Sequence, residues 1–447
     1  MRETRNAQAS IFDFYAQHEF GSQLLKLSEE LDQHPEILDA VAADMQSPQS
    51  SGCGARGLSI DSILRALLLK MLLQVSYRRL AFQLSDSPTC RAFVRLRSAE
   101  SPSHSTLQGT IRQIRPETLQ WIHERLLSKW IETGSLSIDC LRIDSTVVES
   151  HIAPPSDSSL LEDGIRVLSR LLSKCKNETG VKLRFVDQKK RSKSLAFKIF
   201  HAKKAEKLAL YPKLLTCASI TLKQVDRGLL RVEADTNLTD ESVARWRSEV
   251  HHYQDLLRQV IDQTQRRVFN DEVVPATEKL VSLFEPHTDV IVKGQRDTLF
   301  GHKVNLATQE DGFITYVTIE SGNPCDKELF MPVLEHSDIC YDVTPRSVVA
   351  DGGYASRDNV SAGREQGAAH VVFHKPLGMG LHAMGVKQKT FDALRKFRAG
   401  IEGNISELKR AFGMGRADWK GRDGFDAFVL SSVLTFNLVR FVRADSG

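Results

Sequence analysis

The first third of the chain carries apolar residues at helical spacing. In residues 1–50 they include Leu24, Leu25, Leu27 and Leu31, and between residues 60 and 130 similar runs are separated by breaks at Ser87-Pro88 and Ser101-Pro102-Ser103. This spacing predicts amphipathic helices. Short basic helices joined by tight turns fit a helix-turn-helix, but the pattern alone favours a small helical bundle. Residues 1–135 are therefore predicted to form an all-helical domain.

The pattern changes after Leu136. Residues 137–148 are rich in branched side chains, which predicts a strand, whereas residues 152–290 return to helical spacing. Strand patterns then reappear around a turn, Glu310-Asp311-Gly312, that predicts a hairpin. The later predicted elements are strands at 303–308, 313–319, 347–350 and 369–373, and helices at 194–210, 239–268, 325–335, 388–412 and 422–443.

This order predicts a mixed α/β core that is interrupted by a helical insertion. An insertion as long as residues 152–290 is a domain and not a loop. We therefore predict a helical N-terminal domain for DNA binding or dimerisation at 1–135, a core formed by 136–151 and 291–447, and a basic helical insertion at 152–290.

Composition restricts the class of protein. The chain has 447 residues, of which 41% are hydrophobic and 26% charged, as in soluble globular proteins. No uninterrupted apolar stretch reaches the roughly 18 residues of a membrane span, and the N-terminus lacks the apolar region of a secretory signal. The seven cysteines contain no Cys-x-x-Cys pair, which argues against a zinc ribbon and favours reduced thiols in the cytoplasm.

Positive charge is concentrated in the predicted insertion. Between Lys174 and Lys207 there are 12 Lys or Arg against 3 Asp or Glu, a net charge of +9. Such a segment suits the phosphates of a nucleic acid, and it equally suits a solvated helical face. The candidate DNA contacts in its centre are Lys189, Lys190, Arg191 and Lys193.

Three acidic residues are candidates for chemistry. Asp144 lies in or just after one predicted strand and Asp351 directly follows another. An unpaired carboxylate in an apolar strand is costly to bury, so each aspartate is either a metal ligand or a cap of the next turn. In the helix at 388–412, Glu402 lies ~40° and Lys409 ~20° from Arg398 around the axis. This shared face could also reflect a simple Arg–Glu helix pair.

Taken together, these pieces resemble the DDE transposases of bacterial insertion sequences, in the group that includes the insertion sequence four and five families. The helices around residues 67–97 are similar to the domain that precedes the catalytic core in that group, and the resemblance covers about 60–140 and 297–440. Arg395 stands where the family signature Tyr-x2-Arg-x3-Glu-x6-Lys has tyrosine. The matching motifs are Ile143-Asp144-Ser145-Thr146, Gly301-His302-Lys303-Val304-Asn305, Ser321-Gly322-Asn323-Pro324-Cys325-Asp326, Ala350-Asp351-Gly352-Gly353-Tyr354, and Arg398, Glu402 and Lys409.

The resemblance implies an RNase H-like core with Asp144 on its first strand, Asp351 after its fourth and Glu402 on a late helix. It further implies that these carboxylates hold two Mg²⁺ ions, or Mn²⁺ in their place, Asp144 bridging both. Water would first release a 3′-hydroxyl at the transposon end, and that hydroxyl would then attack target DNA. Arg398 and Lys409 would contact DNA phosphates. The implied partners are double-stranded DNA of the terminal inverted repeats and the target, and a second copy of the chain, at the nucleoid in the cytoplasm.

Two alternatives stay open from the sequence. One is an RNase H-like nuclease, or an inactive transposase-derived DNA-binding protein. The other is a non-enzymatic regulator, which clustered carboxylates near DNA argue against. A dinucleotide-binding enzyme is disfavoured because the chain has no Gly-x-Gly-x-x-Gly motif around Gly301 or Gly312.

Overall fold

A computed structural model describes residues 3–5, 17–45, 57–97, 99–235, 241–293, 297–374 and 379–444. The chain divides into two compact units. The first contains Met1–His151 and His302–Gly447, and the second contains Ile152–Gly301. Each unit has its own hydrophobic core.

Helices build the N-terminal part of the first unit. Serine side chains cap the starts of several of them by accepting a backbone N–H, as Ser59 does from Ser62 and Ser103 from Thr106. The buried side chains of these helices belong to the same core as the sheet. The helices are α1 (Glu19–Asp32), α2 (Glu36–Asp44), α3 (Ile60–Leu73), α4 (Tyr77–Asp86), α5 (Pro88–Val94), α6 (His104–Ile111) and α7 (Pro116–Glu132).

A mixed open sheet forms the rest of the core. Its strands are β1 (Cys140–Ser150), β2 (Asp289–Lys293), β3 (Asp297–Thr308), β4 (Ile314–Ile319), β5 (Ser347–Asp351), β6 (His370–His374) and β7 (Arg416–Ala417). Within the first unit the order is β4-β3-β1-β5-β6, and β7 pairs with β1. Strands β1, β5 and β6 are parallel, whereas β3 and β4 are antiparallel. This arrangement confirms the predicted RNase H-like α/β fold.

Among the described residues, five further α-helices and two short 3-10 turns complete the first unit. They are η2 (Asp326–Leu329), α12 (Met331–Tyr341), η3 (Gly352–Tyr354), α13 (Arg357–Glu365), α14 (Leu381–Met384), α15 (Gln388–Ala411) and α16 (Arg422–Ala444). The single helix predicted at 325–335 was wrong in its bounds, because α12 starts only at Met331. Pro332 lies in the first turn of α12, the position where a missing N–H costs a helix nothing.

Among the described residues, helix α16 alone is long and apolar enough by length and composition to cross a membrane, although its apolar run is interrupted. Its best 18-residue window has a mean hydropathy of 1.5, and 83% of that window is buried inside the protein. Ser431, Ser432 and Thr435 interrupt the apolar run, but their hydroxyls donate to backbone carbonyls one turn earlier, at 2.6, 2.9 and 2.7 Å. Such hydroxyls can be buried cheaply, so α16 is a core helix of the first unit.

The second unit is a helical domain. Its elements are α8 (Asp157–Thr179), α9 (Lys189–His201), α10 (Lys204–Asp235), α11 (Glu241–Val268) and η1 (Ala276–Glu278), and it ends with the pairing of β2 and the first half of β3. The single helix predicted at 194–210 was wrong. The chain breaks at Ala202, whose backbone is extended, and the Glu206 carboxylate accepts the Lys203 N–H at the start of α10.

His123 on α7 predicts an acid-dependent loss of stability. Its ring is fully buried, with Nε2 3.0 Å from the Ile314 carbonyl, and burial lowers its pKa from 6.5 to about 4. Because the unfolded chain takes up the proton first as pH falls from 6.5 towards 4, unfolding becomes easier in that window. We expect a loss on the order of 1–2 kcal/mol between pH 7.5 and pH 5, measured by urea unfolding.

The His123→Gln variant is the control for this prediction. Glutamine keeps an N–H donor for Ile314 but does not titrate, so its unfolding free energy should change less over the same pH range. An equal loss in both proteins would show that other groups cause the acid sensitivity.

Candidate active site

The two aspartates lie next to each other on neighbouring parallel strands. Strands β1 and β5 pair from Cys140↔Ser347 to Ile143↔Ala350, and the same register brings Asp144 beside Asp351. The backbone N–H of Ser145 donates to Asp144 Oδ1 at 2.8 Å. On the far side of β5, His374 Nδ1 lies 3.9 Å from Asp351 Oδ1. The sheet therefore fixes the spacing of the two carboxylates.

Arg398 on α15 joins the aspartates to Glu402. Its Nη2 donates to Asp144 Oδ2 at 2.9 Å and lies 3.7 Å from Asp351 Oδ1. Its Nη1 donates to Glu402 Oε1, one helical turn away, at 3.0 Å. One guanidinium thus contacts all three carboxylates that the sequence singled out.

Exposure differs strongly among the four side chains. Arg398 is 10% and Asp144 18% exposed, whereas Asp351 is 47% and Glu402 65% exposed. The guanidinium lies at the bottom of the group, and the outer carboxylates face solvent. Carboxylate oxygens are therefore accessible to a cation or a DNA strand from outside.

The chemistry of this group fits hard divalent cations. Mg²⁺ and Mn²⁺ prefer carboxylate oxygens, and the carboxylates already surround a cation, the Arg398 guanidinium. Among the described residues, the group whose ligand atoms all lie within 4.8 Å of one another is a different one, Glu124, His336 and Cys340. Its mixed nitrogen, oxygen and sulfur donors suit Zn²⁺ better than Mg²⁺.

The other charged residues of α15 point to separate partners. Lys409 donates to the Val147 carbonyl of β1 at 3.0 Å, so it faces the same strand as Arg398. Glu407 instead pairs with Arg440 of α16 at 2.9 Å. Arg395, which replaces the family tyrosine, is half-exposed and pairs with Asp392 at 3.6 Å.

Arg142 is a positioning residue that sequence reasoning missed. It lies two residues before Asp144 on β1 and is buried. Its guanidinium donates to Thr308 Oγ1 at 2.8 Å, to the Phe397 carbonyl at 3.0 Å and to Asn404 Oδ1 at 2.9 Å. These bonds tie α15 to the strand that carries Asp144. An arginine at i−2 within an apolar strand was the signal that could have revealed it.

Gly400 leaves the space that Arg142 needs. A Cβ at Gly400 would lie 2.0 Å from Arg142 Nη1, whereas a Cβ at Gly403 on the same helix meets nothing within 4 Å. Replacing glycine by alanine in a helix normally stabilises it by about 1 kcal/mol. We expect this gain for Gly403→Ala, and a loss of stability for Gly400→Ala, in thermal unfolding. Equal stabilisation by both would contradict the role of Arg142.

A second group of polar residues lies next to the aspartates, in sequence motifs for which no residue role was predicted. Lys303 Nζ donates to Asp326 Oδ1 at 3.0 Å and to the Pro324 carbonyl at 2.6 Å. Ser145, whose side chain alternates with that of Asp144 along β1, donates weakly to the same Asp326 oxygen at 3.5 Å. A Cβ at Gly353 would lie 2.7 Å from Asp326 Oδ2. Asp326 therefore contacts β1 through Ser145 and lies close against Gly353 in the turn after Asp351.

The basic candidates lie in the second unit. Lys190, Arg191 and Lys193 are exposed on α9, and Lys189 at its start pairs with Asp187 at 3.1 Å.

Two family models match the chain. Residues 261–438 match the Transposase DDE domain, and residues 13–113 match the Transposase domain (DUF772). No curated protein and no solved structure gives a significant match. The first matched range contains Asp351, Arg398, Glu402 and Lys409, and the second covers helices α1 to α6.

Proposed function

Since this chain belongs to the DDE-type transposases of insertion sequences, we propose that it cuts transposon-end DNA and joins it to target DNA. Enzymes of this family cut and join DNA and generally use divalent metal ions. The proposed catalytic carboxylates are Asp144, Asp351 and Glu402. The observation that carries this assignment is the contact of one guanidinium, that of Arg398, with all three. Residues from two strands and one helix converge there although they are far apart in sequence.

The carboxylates would hold Mg²⁺, or Mn²⁺ in its place. Bound there, two such ions supply the Lewis-acid chemistry that activates an attacking oxygen and stabilises a leaving oxygen in phosphoryl transfer. The protein contributes rigid placement. The register of β1 and β5 fixes Asp144 beside Asp351, and Arg142 holds α15, and with it Glu402, against β1.

Arg398 and Lys409 are proposed DNA contacts, and the two side chains have different partners in the protein without DNA. In the metal-free protein the Arg398 guanidinium offsets the negative charge of the carboxylates. When bound cations offset that charge instead, the guanidinium could turn towards a phosphate of the DNA. Lys409 donates to the Val147 carbonyl of β1, three residues after Asp144, and is half-buried. Both side chains therefore lie where a DNA strand on the carboxylates would pass.

The remaining surfaces are proposed to position DNA. We assign end binding or dimerisation to the helices of residues 1–135, catalysis to 136–151 with 291–447, and backbone contacts to the basic insertion at 152–290, through Lys189, Lys190, Arg191 and Lys193. A transposon has two ends, so a homodimer with one copy at each inverted repeat is proposed, acting on DNA of the nucleoid.

The test uses labelled duplexes that carry the short inverted repeats flanking the gene, with Mg²⁺ and a plasmid target. We expect cleavage that leaves a 3′-hydroxyl, followed by joined products, and loss of both in Asp144→Asn with DNA binding retained. Cleavage without joining would indicate a nuclease. Wild-type cleavage by Asp144→Asn would overturn the site assignment.

A further inference from the structure

Helix α9 of the second unit exposes two phenylalanines. Phe197 is 67% and Phe200 72% exposed, although both are large apolar side chains. The exposed His201 ring contacts both, with centroid distances of 4.5 Å to Phe197 and 5.1 Å to Phe200. Three rings therefore form an aromatic cluster on the surface of the unit.

The core of the unit does not use this cluster. The inner side of α9 is formed by Ser192, Leu195 and Ile199, which are buried. At about 100° per residue, the two phenylalanines and His201 lie on the opposite side of the helix, together with the exposed Lys190 and Lys193. These five residues form one stripe that is ~100° wide around the helix axis. The outward stripe of α9 thus carries two cations in its first half and three aromatic rings in its second half.

The charge in the chain segment that contains the cluster is almost entirely positive. From Lys189 to Lys207 the chain contains eight Lys or Arg and a single acidic residue, Glu206. Such a surface attracts a polyanion. The phosphates of an intact duplex would be satisfied by the cations alone, because a double helix presents no base faces on its outside. The aromatic rings need a partner whose flat apolar faces are accessible.

We propose that this outward stripe of α9 binds DNA bases that have left the double helix, with Phe197 and Phe200 stacking on the bases and Lys190 and Lys193 contacting the flanking phosphates. Aromatic platforms in basic surroundings are the general means of holding unpaired nucleic acid. The inference rests on the proposed function, because a DNA end must be opened locally when its strands are cut. It adds the form of DNA that the second unit recognises.

An anionic membrane surface is the competing partner for a cationic stripe with aromatic rings. Helices that lie in a membrane interface bury an entire apolar face. The apolar face of α9, with Leu195 and Ile199, is already buried in the core of the second unit, and only two phenylalanines remain outside. This geometry favours a few stacked bases over a lipid surface.

The experiment measures binding by the full chain in the Asp144→Asn background with EDTA, so that cleavage has no influence. Two DNAs of equal length and scrambled sequence are compared, one fully paired and one with a short unpaired stretch containing 2-aminopurine. We expect tighter binding of the second DNA and a change in 2-aminopurine fluorescence. In the Phe197→Ala/Phe200→Ala protein, affinity for the partly unpaired DNA should fall by about tenfold or more, so that the preference over paired DNA is lost. The dependence of its DNA affinity on salt should stay unchanged.

Two control proteins separate stacking from charge and from general loss of apolar surface. Lys190→Gln/Lys193→Gln should weaken binding of both DNAs and flatten the dependence of affinity on salt. Leu230→Ala removes an apolar side chain that is equally exposed, at 67%, on α10 of the same unit, and should bind as the parent does.

Three results would overturn the proposal: equal binding of both DNAs by the parent protein, an unchanged preference in the double phenylalanine variant, or phenylalanine-dependent binding to phosphatidylglycerol vesicles in place of DNA. These results are independent of the proposed function. If transposon ends are cut by the wild type but the preference is absent, only this inference fails. If the preference is present but no cleavage occurs, the catalytic proposal fails.

Discussion

Glu402→Gln is expected to reduce DNA cleavage on the order of 10³-fold or more, whereas Glu407→Gln retains most of it. The two residues lie on the same helix, five positions apart, which rotates Glu407 ~140° away from Glu402. The contacts follow that rotation. Glu402 shares Arg398 with Asp144, and Glu407 pairs with Arg440 on the other side of the helix. Of these two residues, Glu402 is the one that we propose as the third metal-binding carboxylate.

The measurement compares both variants with wild type in a cleavage assay on labelled transposon ends with Mg²⁺. DNA binding in EDTA is the control, and Glu402→Gln should bind as wild type does because its side chain is 65% exposed and its loss leaves the fold intact. Thermal unfolding should show a modest loss for Glu407→Gln, since its partner Arg440 is partly buried. Cleavage lost in Glu407→Gln and kept in Glu402→Gln would mean that the catalytic face of α15 is assigned the wrong way round.

Arg398→Gln is expected to destabilise the metal-free protein by about 1–3 kcal/mol, and to enlarge the rise in melting temperature that Mg²⁺ or Mn²⁺ produces. Most of the loss comes from the Asp144 pair, whose two side chains are 10% and 18% exposed. The pairs with Asp351 and Glu402 contribute less, because solvent screens those exposed carboxylates. Without the guanidinium the three carboxylates repel one another, and a divalent cation then relieves more repulsion than in wild type.

Arg395→Gln is the matched control for this prediction. Arg395 lies on the same helix and also forms an ion pair, with Asp392, but its side chain is 49% exposed. Exposed pairs of this kind contribute about 0–1 kcal/mol, so the variant should unfold near the wild-type temperature with an unchanged response to metal. A metal response in Arg398→Gln no larger than in wild type would show that the guanidinium does not compete with cations for the carboxylates.

The contact of Arg398 with the three carboxylates also changes what their charges alone predict about the stability of the metal-free protein. Three converging carboxylates in a metal-free protein would repel one another, so neutralising Asp144 would leave stability unchanged or higher. In the folded protein the Arg398 guanidinium lies among them. Removing Asp144 therefore also removes a partly buried ion pair, and the expected gain in stability disappears.

The sequence by itself determined the strands that carry the aspartates and the face of α15. Apolar strands around Asp144 and Asp351 and the helical spacing of Arg398 and Glu402 are local patterns, set by backbone periodicity within a few residues. Such patterns also predicted a helical insertion, at 152–290. They did not resolve the break at Ala202, because both flanking segments have good helical spacing and the break depends on the cap that Glu206 provides.

The tertiary structure alone decided which side chains meet. Arg398 reaches Asp144 across 254 positions of sequence, and Arg142 reaches Asn404 across 262. The sequence did not show that Arg398 also contacts the carboxylates, and it left Arg142 without a role, because an arginine has the same pattern whether it faces phosphate or carboxylate. Exposure is equally non-local. The outward phenylalanines of α9 have the spacing of core residues, and only the packing of the surrounding helices leaves them in solvent, because one core cannot cover both sides of a helix.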